Sequence, residues 1–300
     1  MSIIKRILLA FICLPIIGGA LYWATYVIKV KAESVQDIKI EDVNINNISK
    51  PVVVKVVDGK IVMVERKSTP KVKAENKKEV KIQVNKKAIK KRSDMIIVID
   101  PGHASDTSPE KEQQAPGSSI MKIKEPGGAQ GIKTRTPEYV VNMSVAVRLR
   151  SLLKEKGYSV IMTKTENKQM LGNIARAQVG NKSKADLVIR IHADSNKDSS
   201  VQGASMLIPS NSKSTKAIYK TSKRYGQIVH SSFINSIGMS NRGIVERNDL
   251  TGFNWSVVPV ILVEMGFQSN VEEDKKLASE NYQIKLAKAL SVGIDKALFN

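Results

Sequence analysis

The chain has 300 residues, with 48 Lys and Arg against 28 Asp and Glu for a net charge of +20, three histidines and one cysteine, Cys13. That length holds one ordinary domain with tails or two small domains, and it suffices to bury a core. A lone cysteine excludes an intramolecular disulfide and any cysteine-based zinc or redox centre, while the positive charge favours anionic surroundings without selecting among nucleic acid, acidic lipid and wall polymer.

Ile7 to Ile28 is an uncharged run, with Lys5 and Arg6 before it and Lys29 and Lys31 after. It has about the ~20 residues that cross a bilayer core, so residues 1–32 are expected to be a membrane anchor. A cleaved signal peptide is the rival reading, because Val30 and Ala32 form a small-residue cleavage pattern. Basic residues at both ends leave the orientation open. Residues 33–94 are rich in Lys, Asn and Val and carry the blocks KVKAENKKEVK and NKKAIKKR, which read as a solvated basic linker. Inside it, VVVKVV and KIVMVER flank Asp58-Gly59, the signature of a local hairpin.

From Met95 the texture changes, and residues 95–300 are expected to form one catalytic domain. MIIVID (95–100) is an apolar strand stopped by Pro101-Gly102. Residues 138–156 place Val141, Val145, Leu149 and Leu152 at helical spacing, with Thr136 as N-cap, Pro137 at the first helical position and Gly157 as the stop. SVIMT (159–163), LVIRIH (187–192), GASMLIP (203–209) and VILVE (260–264) read as strands. Helices are expected around residues 174–181, 215–237 and 282–298. Strands alternating with helices predict an α/β domain whose mostly parallel central sheet is flanked by helices on both faces. In such sheets chemistry gathers beyond the carboxyl ends of the strands.

Three of these strands run into groups that bind metal or move protons: His103 just after the first, His192 ending the third and Glu264 ending the last. Side chains at matching ends of neighbouring parallel strands converge. Glu138, in the first turn of a helix after a proline, is a further candidate ligand. Its local alternative is a carboxylate that complements the helix dipole. Two imidazoles and a carboxylate suit zinc, whose catalytic sites keep a fourth position open for water.

The residues IVIDPGH (97–103), EYVVN (138–142), ARAQVGN (175–181), ADLVIRIHAD (185–194) and PVILVEMGFQSN (259–270) resemble, in order and chemistry, the zinc-dependent N-acetylmuramoyl-L-alanine amidases. The resemblance covers residues 95–300. It implies zinc as cofactor, His103, Glu138 and His192 as its ligands, Glu264 as the catalytic carboxylate, and hydrolysis of the amide between N-acetylmuramic acid and L-alanine in peptidoglycan. Two departures stand out: Ala104 and Ser105 follow His103 where the family has glycines, and Lys164 replaces an arginine. Arg176, Arg242, Phe253 and Trp255 are candidate substrate contacts, with a helix-surface charge the alternative for Arg176 and core anchors the alternative for Phe253 and Trp255, and His230 reads as a surface residue. Residues 104–135, with Glu110, Glu112 and Glu125 as rival ligands, are expected to form a lid or rim with Gly127, Gly128 and Gly131 permitting movement.

The expected partners are peptidoglycan and, through the N-terminal segment, a membrane; the sequence identifies no protein activator. Localisation follows as membrane-anchored with the catalytic domain on the wall side, or secreted if the segment is cleaved. Competing readings are another zinc peptidase or deacetylase acting on wall peptides, although no HExxH helix is present. A non-catalytic wall-binding protein would need a broken ligand set. Nucleic acid is not an expected partner, because much of the excess charge lies in the linker without interleaved aromatics.

Overall fold

A computed structural model describes residues 90–299 and, before them, the backbone of four short strands. The chain divides into two compact units, Met1–Val84 and Asn85–Asn300. In the first, β1 (Ala10–Ile12) pairs antiparallel with β2 (Tyr26–Ile28), and β3 (Val52–Val57) with β4 (Lys60–Glu65). Val57 faces Lys60 across the latter pair, so the hairpin expected around Asp58-Gly59 forms. Apart from residues 90–94, the rest of the expected membrane segment and basic linker lies outside the described residues. Among the described residues no helix is long and apolar enough to cross a membrane.

The second unit opens with a short 3-10 turn, Arg92–Asp94, followed by β5 (Ile96–Pro101), β6 (Ser108–Gln113), β7 (Met121–Glu125), α1 (Glu138–Glu155), β8 (Ser159–Met162), α2 (Asn173–Ser183) and β9 (Leu187–Asp194). It continues with β10 (Ala204–Pro209), α3 (Lys216–Ile237), β11 (Asn241–Arg247), α4 (Thr251–Asn254), β12 (Val260–Phe267), α5 (Val271–Ala278) and α6 (Glu280–Phe299). Six strands form one sheet in the order β11-β10-β12-β9-β5-β8. All pairs are parallel except β10 with β12. That inversion has a geometric cause: only residues 195–203 join β9 to β10, and a parallel return needs a crossover of about a dozen residues or more.

Strand alternation divides the core in two. Ile97 and Ile99 of β5, Leu187, Ile189 and Ile191 of β9, and Ile261 and Val263 of β12 pack with α1, α3 and α6 in the larger cluster. Val98, Val188, Val260 and Leu262 face the other way, where Phe253 of α4 joins them in a smaller one. α1 buries Val141, Val145, Leu149 and Leu153 completely, which places Leu153 at the core position where Leu152 was expected. Its N-cap is Pro137, not Thr136. Thr136 is occupied otherwise, its carbonyl accepting from Gly131 N at 3.0 Å and from Gln268 Nε2 at 3.3 Å.

Other features departed from expectation. Residues 241–247 are not among the expected strands, but as β11 their backbone pairs with β10 at the edge of the sheet. Residues 104–135 contain the antiparallel hairpin β6–β7, and α4 and α5 are too short for a clear helical period. Packing also reaches back before residue 95: Arg92 Nε and Nη2 donate to Asp295 at 2.9 and 3.3 Å, and its guanidinium lies 4.5 Å from the Phe299 ring centroid.

Candidate metal centre

β12, β9 and β5 are neighbours in the sheet, and the β12–β9 register sets Glu264 beside His192. The period of two then sorts the functional groups. Asp100 follows Val98, Arg190 and His192 follow Val188, and Glu264 follows Leu262, so all four side chains emerge on the face of the smaller core cluster. Glu138 comes from the other side, projecting from the first turn of α1 over the strand ends.

His103 sits two residues beyond β5 in the left-handed region, at φ 60. The preceding position tolerates only glycine, since a Cβ on Gly102 would lie 2.3 Å from Cε1 of His192. Glu138 is buried and held on both oxygens. Ala129 N donates to Oε2 at 2.8 Å, while Asn142 Nδ2 and Ala193 N each donate to Oε1 at 3.1 Å. His192 Nδ1 lies 3.1 Å from Oε1, and His103 Nε2 lies 3.4 Å from Oε2. One ligand atom from each of His103, Glu138 and His192 lies within 4.8 Å of the others. The glycine at 128 is again a matter of room, because a Cβ there would stand 2.7 Å from Glu138 Oε2.

Burial works against the Glu138 charge, yet the His192 hydrogen bond and the two imidazoles hold its pKa down to about 2. Burial lowers the pKa of His192, which favours the neutral imidazole that binds metal. Glu264 behaves in the opposite sense. Burial, with the carboxylates of Glu138 and Asp194 nearby, raises its pKa well above the usual range. Glu264 Oε2 and His192 Nε2 are enclosed and, among the described residues, have no hydrogen-bond partner. A carboxylate with raised proton affinity beside a cluster of potential ligands can take and return protons.

The other expected site residues are distributed differently. Arg176, read as a helix-surface charge or a substrate contact, is instead buried, and its guanidinium is spent inside the domain on Asp100, Glu125 and the carbonyls of Pro101, His103 and Leu171. Phe253 is fully buried and is a core anchor. Trp255 is half-buried, and its indole N–H donates to Gln113 O at 2.9 Å. Arg242 is exposed, 5.1 Å from the Phe267 ring centroid, and helps stabilise the charge of Asp194. His230, expected at the surface, is buried with Nε2 2.7 Å from Asn241 Oδ1. Lys164 is buried without a hydrogen-bond partner for Nζ among the described residues, and burial lowers its pKa to about 8.

None of the rival acids joins the ligand cluster. Glu110 is exposed and bonded to Lys124. Glu112 is buried and accepts from Asn173 N and Ile174 N at the start of α2, at 2.6 and 3.1 Å. Glu125 is buried with Oε1 2.9 Å from His103 Nδ1. The segment expected to form a lid or rim is thus anchored through Glu112 and Glu125. Asp274 adds to this at its end, accepting from Lys133 N at 2.7 Å and from Thr134 N at 2.9 Å. Three groups escaped sequence reasoning. Asn142 stands one helical turn after Glu138, a spacing that was legible. Asp194 and Arg247, whose charges bear on Glu264, carried no distinguishing local signal.

Residues 97–296 match the family described as N-acetylmuramoyl-L-alanine amidase. Among similar proteins, AmiC of Escherichia coli is 29% identical over 248 residues, which cover 68% of this chain and 53% of AmiC. This chain thus spans about half the length of that relative. The solved catalytic domain of CwlV from Bacillus (Paenibacillus) polymyxa is 25% identical with a TM-score of 0.54, over 67% of this chain and 97% of that one. Ami1 of Mycobacterium smegmatis, 22% identical, shares the fold with a TM-score of 0.64 over 70% of this chain and 99% of that one.

Proposed function

Because the chain belongs to the N-acetylmuramoyl-L-alanine amidase family, we propose that it cleaves the amide between the lactyl group of N-acetylmuramic acid and L-alanine, releasing stem peptides from peptidoglycan. The observation that carries this reading is the convergence of His103, Glu138 and His192 beside Glu264. The donor set suits zinc by its chemistry: two imidazoles and a carboxylate are good zinc ligands, and one donor atom from each lies within 4.8 Å of the others. Zinc, when bound, polarises the scissile carbonyl and brings the pKa of water towards about 7.

The residues of the chain supply the rest. Glu138, His103 and His192 hold the cation. Glu264 takes a proton from the attacking water and delivers it to the leaving amine of L-alanine, and its raised proton affinity suits both transfers. No nucleophilic side chain takes part. Arg242, exposed near Asp194, and the half-buried Trp255 are the candidates for substrate contact. Peptidoglycan lies outside the membrane, so this reading puts the catalytic unit on the wall side, with Ile7 to Ile28 as its anchor or, if cleaved, as its export signal.

The deciding experiment is digestion of purified sacculi followed by mass spectrometry of the released material. New free amino termini on L-alanine with intact glycan strands are expected. Release of shortened stem peptides or of deacetylated sugars would replace this assignment by a peptidase or a deacetylase.

A further inference from the structure

The hairpin β6–β7 carries two buried carboxylates, Glu112 and Glu125, and they face different elements. Glu112 accepts the first amides of α2 and so ties the hairpin to a helix. Glu125 accepts from His103 Nδ1 at 2.9 Å and from Gly127 N at 3.2 Å, while its other oxygen lies 3.3 Å from Arg176 Nη2. The same Arg176 nitrogen donates to the backbone carbonyl of His103 at 3.3 Å. His103 is thus gripped twice, through its ring by Glu125 and through its left-handed backbone by Arg176.

We propose that Glu125 is the positioning residue for His103: it fixes the proton on Nδ1 and turns Nε2, with its lone pair, towards Glu138. This rests on the reading of His103 as a metal ligand. The two ring nitrogens of an imidazole point in diverging directions, so a carboxylate bonded at Nδ1 cannot also reach a cation held at Nε2. Glu125 therefore acts through His103 and not as a fourth ligand. A carboxylate behind a ligating histidine raises the basicity of the ring and fixes its orientation, and losing such a partner typically weakens metal binding by roughly 10–100-fold. In this chain that partner is supplied by the segment between the first two ligands, so the segment's role is to complete the metal centre.

The test uses the full chain loaded with zinc, and the variants Glu125→Ala, Glu125→Gln and Glu112→Gln. Zinc affinity is measured by chelator competition, and the ligand field by the visible spectrum of the cobalt-substituted protein. Glu125→Ala should bind zinc about 10–100-fold more weakly with an altered cobalt spectrum, and Glu125→Gln, which retains an acceptor oxygen, should fall between it and the parent. Glu112→Gln should lower the thermal midpoint while leaving both metal readouts unchanged, which separates anchoring of the hairpin from positioning of His103. If Glu125→Ala does not fold, Glu125→Gln decides alone. Parental zinc affinity and spectrum in a folded Glu125 variant would overturn the proposal, provided His103→Ala loses zinc. If His103→Ala binds zinc as the parent does, the metal assignment itself has failed.

Discussion

Asp100 and His103 are three residues apart, yet the buried polar clusters they join differ in kind. Asp100 accepts from Thr163 Oγ1 at 2.6 Å, Arg176 Nη1 at 2.8 Å and Arg190 Nε at 2.8 Å, so both of its oxygens are used. Arg190 spends a further N–H on Asn173 Oδ1. Burial would raise the pKa of Asp100, but the two guanidiniums override it and hold the carboxyl well below its ordinary range. Among the described residues, the neighbouring cluster leaves His192 Nε2 and Glu264 Oε2 enclosed and without a hydrogen-bond partner. A saturated network welds β5, β9 and α2 together, whereas an unsaturated one retains capacity for something from outside.

This contrast predicts that damage to the two clusters will register in different measurements. The largest effect should come from the ligand cluster: His103→Ala or His192→Ala should lose stoichiometric zinc by elemental analysis together with wall hydrolysis, because too few groups remain to hold the ion. Stoichiometric zinc in either variant would mean that the ligand is misassigned. Glu264→Gln should keep zinc but lose roughly 10²–10⁴-fold in turnover. Its thermal midpoint should not fall, since the change removes a carboxylate that its surroundings disfavour. Near-parental turnover in the zinc-loaded variant would remove Glu264 from the mechanism.

The saturated cluster should respond in stability. Arg190→Ala leaves Asp100 Oδ2 without its buried guanidinium partner and should cost about 3–5 kcal/mol in denaturant unfolding. The pH dependence follows from the depressed pKa of Asp100. On acidification the unfolded chain takes up its proton first, so the contribution is complete above about pH 4 and is lost progressively below it. Asp100→Asn should therefore flatten the acid limb of the stability curve, and an unchanged limb would show that other carboxylates govern it.

Lys164 sharpens the contrast, its Nζ having no hydrogen-bond partner among the described residues although it lies beside the saturated network. Its pKa is lowered to about 8 from 10.5. Between those values the unfolded chain binds more protons, so stability should rise with pH across that window. Lys164→Met should remove the rise and add on the order of 1 kcal/mol at neutral pH. A destabilised Lys164→Met, with the rise still present, would place Lys164 among the useful charges of the network.

Much of this molecule was legible before its structure. Apolar runs of strand length, helical spacing in α1 and α3, and turn residues gave the α/β alternation, because burial on a sheet or helix imposes a period on the sequence. The hairpin of β3 and β4 was equally local. The convergence of the four candidate residues was legible for a related reason: His192 and Glu264 close strands, His103 follows one, Glu138 opens a helix, and strand ends in a parallel sheet share an edge.

Other features depended on contacts between distant residues, which no local pattern records. The reversal of β10 depended on the short path from β9, and the pairing of β11 on its neighbour. Arg176 and Phe253 were legible as an arginine and an aromatic near the site, but only packing could say that both point inward. Glu112 and Glu125 are two glutamates on one hairpin, indistinguishable by composition. One received the amides of α2 and the other the ring of His103, and that division was made in three dimensions, where unpaired donors must find acceptors as water is excluded. The sequence by itself determined the periodic framework and the chemistry available at its strand ends, because those are written in local order. Tertiary structure decided which charged groups were saturated and which were left with capacity to spare, because saturation is a property of neighbours brought together by folding.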